Sequence, residues 1–299
     1  MNGKTVMITG ATAGIGLATA RDLARRGARV AVVGRDEAKT RRVVQEIRTA
    51  TGNTSVEPWT ADLSSQTAVR RLAQEFTQAH PALDVLVNNA GGYWATRHTT
   101  ADGLDHTFAL NHLAPFLLTN LLLDTLKAAP AGRIVTVSSG AQANGRINFD
   151  DLMGERAYSG MRAYSQSKLA NVLFTYELAR RLDGTGVTAN VLHPGVVRTD
   201  FGKEDSGRVF RALYPLVRLV MTSPDKGAET SVHLASSTEV DGVTGRYFAK
   251  RQPTKSSKLS YDRALAARLW EVSEELTGLA APQSTDGLVD DPGPNRSVR

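Results

Sequence analysis

The stretch Val6-Met7-Ile8-Thr9-Gly10-Ala11-Thr12-Ala13-Gly14-Ile15-Gly16 decides how the rest of the chain is read. Val6 to Thr9 is a short apolar run of the kind that forms a strand. From Gly14 to Arg26, the residues Ile15, Ala18 and Leu23 recur with helical spacing. The glycines between let the backbone turn tightly and approach a phosphate closely. The helix that follows points its free N–H groups and the positive end of its dipole at that phosphate. The spacing is Gly-x-x-x-Gly-x-Gly, not Gly-x-Gly-x-x-Gly, and no Gly-Lys-Ser/Thr follows, so this is not a Walker loop. A tight strand-to-helix turn with no ligand would explain the loop alone; its context favours a nucleotide.

That context is alternation. Strand-like runs at Arg29 to Val33, Ser55 to Thr60, Val85 to Val87, Ile134 to Val137 and Val187 to Leu192 alternate with helix-like segments. Those segments are Asp36 to Thr49, Ser64 to His80, a long helix from about Leu104 to Leu126, and Ala163 to Leu182. Strands that are apolar throughout are covered on both faces. The pattern predicts an α/β fold: one Rossmann-type, doubly wound parallel sheet of about seven strands with helices on both faces. No internal boundary divides residues 1–279, which read as one domain. Residues 280–299 carry Pro282, Pro292 and Pro294 with little to bury, and read as a disordered tail.

Composition narrows the function. The 299 residues are 41% apolar and 22% charged, which excludes a disordered, collagen-like or low-complexity chain. There is no cysteine, so disulfide scaffolds, thiolate metal sites and cysteine nucleophiles are excluded. That fits a reducing compartment, and a cytoplasmic location is expected. The net charge is +6, but the arginines are scattered over several helices and no reader motif accompanies them. Nucleic acid is therefore not an expected partner. No signal peptide and no apolar run of about 18 residues is present, so no transmembrane segment is expected. His112 and His193 have no partners at metal spacing and read as structural, so no metal is expected. Ser–His–Asp hydrolysis lacks its Gly-x-Ser-x-Gly elbow.

The second strand ends at Gly34-Arg35-Asp36. In a dinucleotide fold an acid here would bind the ribose 2′-hydroxyl, whereas an arginine accommodates a 2′-phosphate. Gly34 holds the acid's position and Arg35 follows, so NADP(H) is favoured over NAD(H). The plainer readings are an exposed charge for Arg35 and a helix N-cap for Asp36. Removing Arg35 while placing an aspartate at Gly34 is expected to reverse the cofactor preference.

At this point the chain resembles the short-chain dehydrogenase/reductase family, over about Lys4 to Gly278. Thr9 to Gly16 matches its TGxxxGxG loop, and Asp62-Leu63 the pair that contacts adenine. Asn88-Asn89-Ala90-Gly91 matches its NNAG motif, and Pro194 to Thr199 its PGxxxT segment. Asn111, Ser139, Tyr164 and Lys168 match its catalytic tetrad. Within the family, Ala163 to Asn171, His193-Pro194-Gly195, Gly245 to Phe248 and Leu269-Trp270 look like the retinol dehydrogenase and WW-domain oxidoreductase branch. That branch tends to favour NADP(H) and lipophilic carbonyls. The resemblance implies cofactor contacts from Thr9, Gly10, Thr12, Ala13, Gly14, Ile15, Gly16 and Arg35, and from Asp62, Leu63, Asn89, Ala90 and Gly91. It implies more from Tyr164, Lys168, Pro194, Gly195, Val197 and Thr199. Members are often dimers or tetramers, so a homo-dimer or homo-tetramer is expected.

Transfer of a hydride between a nicotinamide and a carbonyl also needs a proton on oxygen. Tyr164 and Lys168 are four residues apart, on one face of a helix. The lysine charge, and an oxidised nicotinamide, are expected to lower the tyrosine pKa toward working pH. Tyr164 would be general acid for reduction and general base for oxidation. Ser139, at a strand end, can orient the substrate oxygen, while Ser138 reads as a turn residue. The resemblance makes Lys168 a holder of the nicotinamide ribose, and Asn111 the holder of a water linking Lys168 to solvent. A non-catalytic dinucleotide sensor on the same fold is the alternative; the intact tetrad argues against it.

Tyr93 and Trp94, the segment Gly140 to Arg162, and Phe201, Phe210, Leu213, Tyr214, Leu216 and Val217 supply apolar walls. The substrate cap is placed at about 195–225, and a small lipophilic carbonyl or alcohol is the expected substrate.

Overall fold

The computed structural model describes residues 1–197, 205 and 221–279. The expectations for Thr199, for most of the 195–225 cap and for the 280–299 tail lie outside these residues. The strands are β1 (Thr5–Thr9), β2 (Arg29–Gly34), β3 (Val56–Thr60), β4 (Val85–Asn88), β5 (Arg133–Val137), β6 (Thr188–Leu192), β7 (Tyr247–Ala249) and β8 (Gln252–Thr254). They form one sheet in the order β3-β2-β1-β4-β5-β6-β7-β8. Every neighbouring pair is parallel except β7 and β8.

The runs located in the sequence end at β6, and the expected count of about seven leaves no place for β8. This short, fully exposed edge strand returns from β7 through Lys250 and Arg251, at φ of 50° and 66°. Two residues of positive φ match the twist of a hairpin. The glycine or asparagine that marks such a turn in a sequence is missing here.

Side chains of a strand alternate between its faces, so each central strand feeds two cores. Val6 and Ile8 of β1 join Val30, Val32, Val85, Val87 and Val135 on one face. Met7 joins Ala31, Val33, Leu86 and Ile134 on the other. Helices α1 (Gly14–Arg25) and α2 (Glu37–Thr51) cover the first core, with α1 also packed on a later helix, Pro224–Ser236. The second core is covered by α3 (Gln66–Ala79), whose Val69, Leu72, Ala73 and Phe76 are buried at helical spacing. Its N-terminus is capped by Ser65 Oγ, which accepts from the Ala68 N–H.

The long helix expected from about Leu104 to Leu126 is instead broken. It runs as α4 (His106–Phe108), a π turn (Ala109–Leu113), α5 (Ala114–Leu121) and α6 (Leu123–Lys127). The cause is Pro115. It has no N–H, and its ring crowds the carbonyl four residues back, that of Asn111. The ladder slips by one residue, and the Ala114 N–H bonds to the Ala109 carbonyl, five residues back. Helices α7 (Gly160–Arg181), α8 (Pro224–Ser236) and α9 (Arg263–Thr277) complete the fold, with α9 packed on α7.

Candidate active site

The strand order reverses between β1 and β4, and a crevice opens there at the carboxyl ends of the strands. A cleft of about 560 Å³ occupies it. Gly10, Thr12, Ala13, Gly14, Ile15, Gly16, Arg35, Asp62, Leu63, Asn89, Ala90, Gly91, Pro194, Gly195 and Val197 all line it, as do Ser139, Tyr164 and Lys168. Two expected site residues lie behind its wall. The Thr9 hydroxyl donates to the Val87 carbonyl (3.3 Å) and accepts from the Asn89 and Ala90 N–H groups (2.9 and 3.0 Å), tying β1 to β4. Asn111 is fully buried.

One end of the cleft is shaped for a phosphate. Gly10 turns the chain at φ 65°. A Cβ on Gly16 would lie 2.4 Å from the Gly10 carbonyl oxygen, so only glycine permits that approach. Helix α1 begins there with no side-chain cap, whereas Asp36, Ser65 and Asp262 cap α2, α3 and α9. The first N–H groups of α1 are thereby left for a ligand. These features fit the diphosphate of a dinucleotide.

At the end of β2, Arg35 lines the cleft, while Asp36 Oδ1 accepts from the Lys39 N–H at 2.7 Å and caps α2. A Cβ on Gly34 would lie 2.4 Å from Thr40 Oγ1 and 2.5 Å from Thr12 Cγ2. The expectation that an aspartate at Gly34 would take up the ribose is therefore corrected: Thr12 and Thr40 close that space.

Tyr164 and Lys168 project from α7 into the middle of the cleft. Lys168 Nζ lies 5.7 Å from the Tyr164 ring centroid and donates to the Val137 carbonyl at 3.2 Å. Ser139 lines the cleft with Tyr164, and its hydroxyl favours the charged form of the phenol. The protein's own groups do not lower the phenol as expected. Burial pushes it up to about 12, offset in part by Ser139. Burial also pulls the lysine down to about 8. Both shifts have one cause, the loss of water around the charged form. The Ser138 hydroxyl donates to the Lys168 carbonyl at 2.7 Å and anchors α7 to β5, a tertiary contact and not the turn contact read for it.

The Asn111 side chain is bonded to the loop after β4 and to α7. Its Oδ1 accepts from the Gly92 N–H at 2.8 Å, and its Nδ2 donates to the Gly92 carbonyl (2.9 Å) and to Ser167 Oγ (3.0 Å). This clamp fixes the loop that follows β4. In that loop Tyr93 meets Tyr164 edge-to-face, centroids 6.1 Å apart, and Trp94 meets His106 at 4.2 Å. Tyr158 donates to the Trp94 carbonyl at 3.3 Å, and Asp205 accepts from the Thr96 N–H at 2.7 Å. Leu110, Val196 and Met221 add apolar surface to this wall. Gly92, His106, Leu110 and Met221 carry no signal in the sequence; they reach the cleft through the bend at the π turn and through chain returning from afar.

A glycine-cradled cleft at the switch point of a doubly wound sheet, holding a buried tyrosine and lysine, defines a dinucleotide-dependent oxidoreductase class of site. The comparisons agree. The short chain dehydrogenase family model matches residues 4–208. The chain is 45% identical to human retinol dehydrogenase 14, over 93% of this chain and 88% of that protein. It superimposes on a Mycobacterium paratuberculosis crystal structure with a TM-score of 0.75 and 38% identity, covering 93% and 94% of the two chains. A Beutenbergia cavernae protein described as an NAD(P)-dependent gluconate 5-dehydrogenase, crystallised with NADP, matches with a TM-score of 0.66 and 30% identity, covering 84% and 96%. The chain belongs to the short-chain dehydrogenase/reductase family, in its retinol dehydrogenase-like branch.

Proposed function

We propose that this protein transfers a hydride between NADP(H) and the carbonyl or alcohol carbon of a lipophilic small molecule, with Tyr164 as the general acid and base. The observation that carries the reading is that Ser139, Tyr164 and the buried Lys168 line one cleft together with the uncapped start of α1.

When bound, the dinucleotide supplies or accepts the hydride. The protein's part is binding, orientation and proton transfer. Ser139 and Tyr164 donate to the substrate oxygen. In reduction the phenol, which burial keeps protonated, gives its proton to that oxygen. The Lys168 ammonium stabilises the phenolate left behind and holds the ribose hydroxyls. The α1 N-terminus takes the diphosphate. Arg35 favours a 2′-phosphate as a fixed, always-charged donor, and Asp36 is committed to its cap. Tyr93, Trp94, Leu110, Val196 and Met221 make the walls apolar, in keeping with a retinol dehydrogenase as relative.

The test is a panel of lipophilic ketones, aldehydes and alcohols with NADPH or NADP⁺, read by nicotinamide absorbance. Wild type should turn over members of the panel. Tyr164→Phe should lose roughly 100- to 10,000-fold in kcat with dinucleotide affinity nearly unchanged. Near-normal turnover in that variant would remove Tyr164 from the chemistry.

A further inference from the structure

Pro115 leaves the Asn111 carbonyl without its usual helical donor, since residue 115 has no N–H to offer. The structure supplies a replacement from another helix. Asn171 Nδ2, on α7, donates to the Asn111 carbonyl at 2.9 Å. The orientation of the Asn171 amide is fixed in turn. Its Oδ1 lies 3.4 Å from His112 Nδ1, and His112 Nε2 lies 2.9 Å from Ser273 Oγ on α9. All four residues are buried, at 0 to 2% exposure. The Asn171 NH₂ is turned to the Asn111 carbonyl, its Oδ1 faces His112, and the Ser273 hydroxyl beside His112 Nε2 donates to the Leu269 carbonyl at 2.7 Å.

We propose that Asn171 is a positioning residue for the reaction. It holds the carbonyl that Pro115 frees. It thereby sets the π turn from which the Asn111 side chain clamps Gly92. The same turn follows directly on α4, which begins at His106, and the clamped loop carries Gly91 and Tyr93 into the cleft. A Cβ on Gly91 would lie 2.8 Å from Asn111 Oδ1 and 3.3 Å from Lys168 Nζ, so a small shift of Asn111 is felt at the reacting centre. Ser273 and His112 extend the support to α9, which lies outside the cleft. The inference builds on the oxidoreductase reading of the cleft.

The test is a double-mutant cycle on Asn171→Ala and Pro115→Ala. An alanine at 115 restores an N–H that can serve the Asn111 carbonyl. Amide exchange is read at Gly92, whose N–H is held by Asn111, and at Val32 in the sheet; kcat is read alongside. Asn171→Ala should speed exchange at Gly92 about tenfold and lower kcat about tenfold, with Val32 little changed. In the Pro115→Ala background the same substitution should change Gly92 exchange and kcat less than about twofold. Equal acceleration at Gly92 and Val32 would make the role one of general stability and overturn the proposal. So would equal effects in both backgrounds. Should Asn171→Ala not fold, Asn171→Asp keeps the volume, removes the donor, and is read in the same way. Exchange needs no substrate, so failure of the oxidoreductase reading and failure of this inference are told apart.

Discussion

Lys168 shows what a functional residue costs the fold. Its ammonium is buried with one carbonyl partner, and burial brings it from the usual 10.5 down to about 8. The unfolded chain binds the proton more tightly, so stability rises with pH between about 8 and 10.5, and the full cost is present below 8. That cost is on the order of 3 kcal/mol. Lys168→Met should therefore melt at a higher temperature than wild type at neutral pH, the gain shrinking as pH rises, while activity and dinucleotide affinity fall. A lower melting temperature would show that the ammonium stabilises the fold. Tyr164 gives the matching pH profile. A phenol pushed up to about 12 keeps its proton at neutral pH. The rate of reduction should be flat up to about pH 8 and fall above it as Lys168 loses its charge, whereas oxidation should rise with pH toward that point. Steady-state rates in both directions check this; parallel profiles would contradict it.

At the scale of elements, the junction of β2 and α2 separates two neighbouring charges by task. Asp36 serves the helix and Arg35 faces the cleft. Asp36→Ala should cost about 1 kcal/mol and leave the ratio of NADPH to NADH affinity unmoved. Arg35→Ala should weaken NADPH about ten- to a hundredfold, with NADH little affected. Titration of both cofactors against both variants decides; the opposite pattern would make Asp36 the ribose ligand. The helix α2 that begins here is legible in the sequence, because Val43, Val44 and Ile47 mark its buried stripe. The bend between α4 and α5 was equally written, in the four-residue spacing of Asn111 and Pro115, but apolar periodicity runs straight through it. Periodicity reports which face is buried and is blind to one slipped hydrogen bond.

For the whole molecule, His112 ties the helical layer to acid stability. It is fully enclosed between α7 and α9, and burial pulls it from 6.5 down to about 4. The unfolded chain takes a proton near 6.5 that the folded chain refuses until about 4. The stability involved is present above about 6.5 and lost as pH falls toward 4, on the order of 3 kcal/mol in all. Wild type should lose stability across that window faster than His112→Gln, as read by urea melts at its two ends. His193 and His233 are also pulled down by burial, so the difference between the two proteins isolates His112. Equal losses would clear it of the role.

The sequence by itself determined the doubly wound sheet, the glycine turn and the Tyr164–Lys168 pair. Each rests on contacts a few residues apart: period-two and period-3.6 burial, a turn that needs positive φ, two side chains one helical step apart. Tertiary structure alone decided which polar groups are left over for a ligand. Thr9 and Asn111 are read as site residues in sequence, and the structure sets them behind the cleft wall, where they bond Asn89, Ala90, Gly92 and Ser167. Gly34 looks open to an acid, and Thr12 and Thr40 fill the space. The direction of both pKa shifts was also settled there. Spacing brings a lysine near a tyrosine, but the burial of each, which sets the direction of both shifts, depends on everything packed around them.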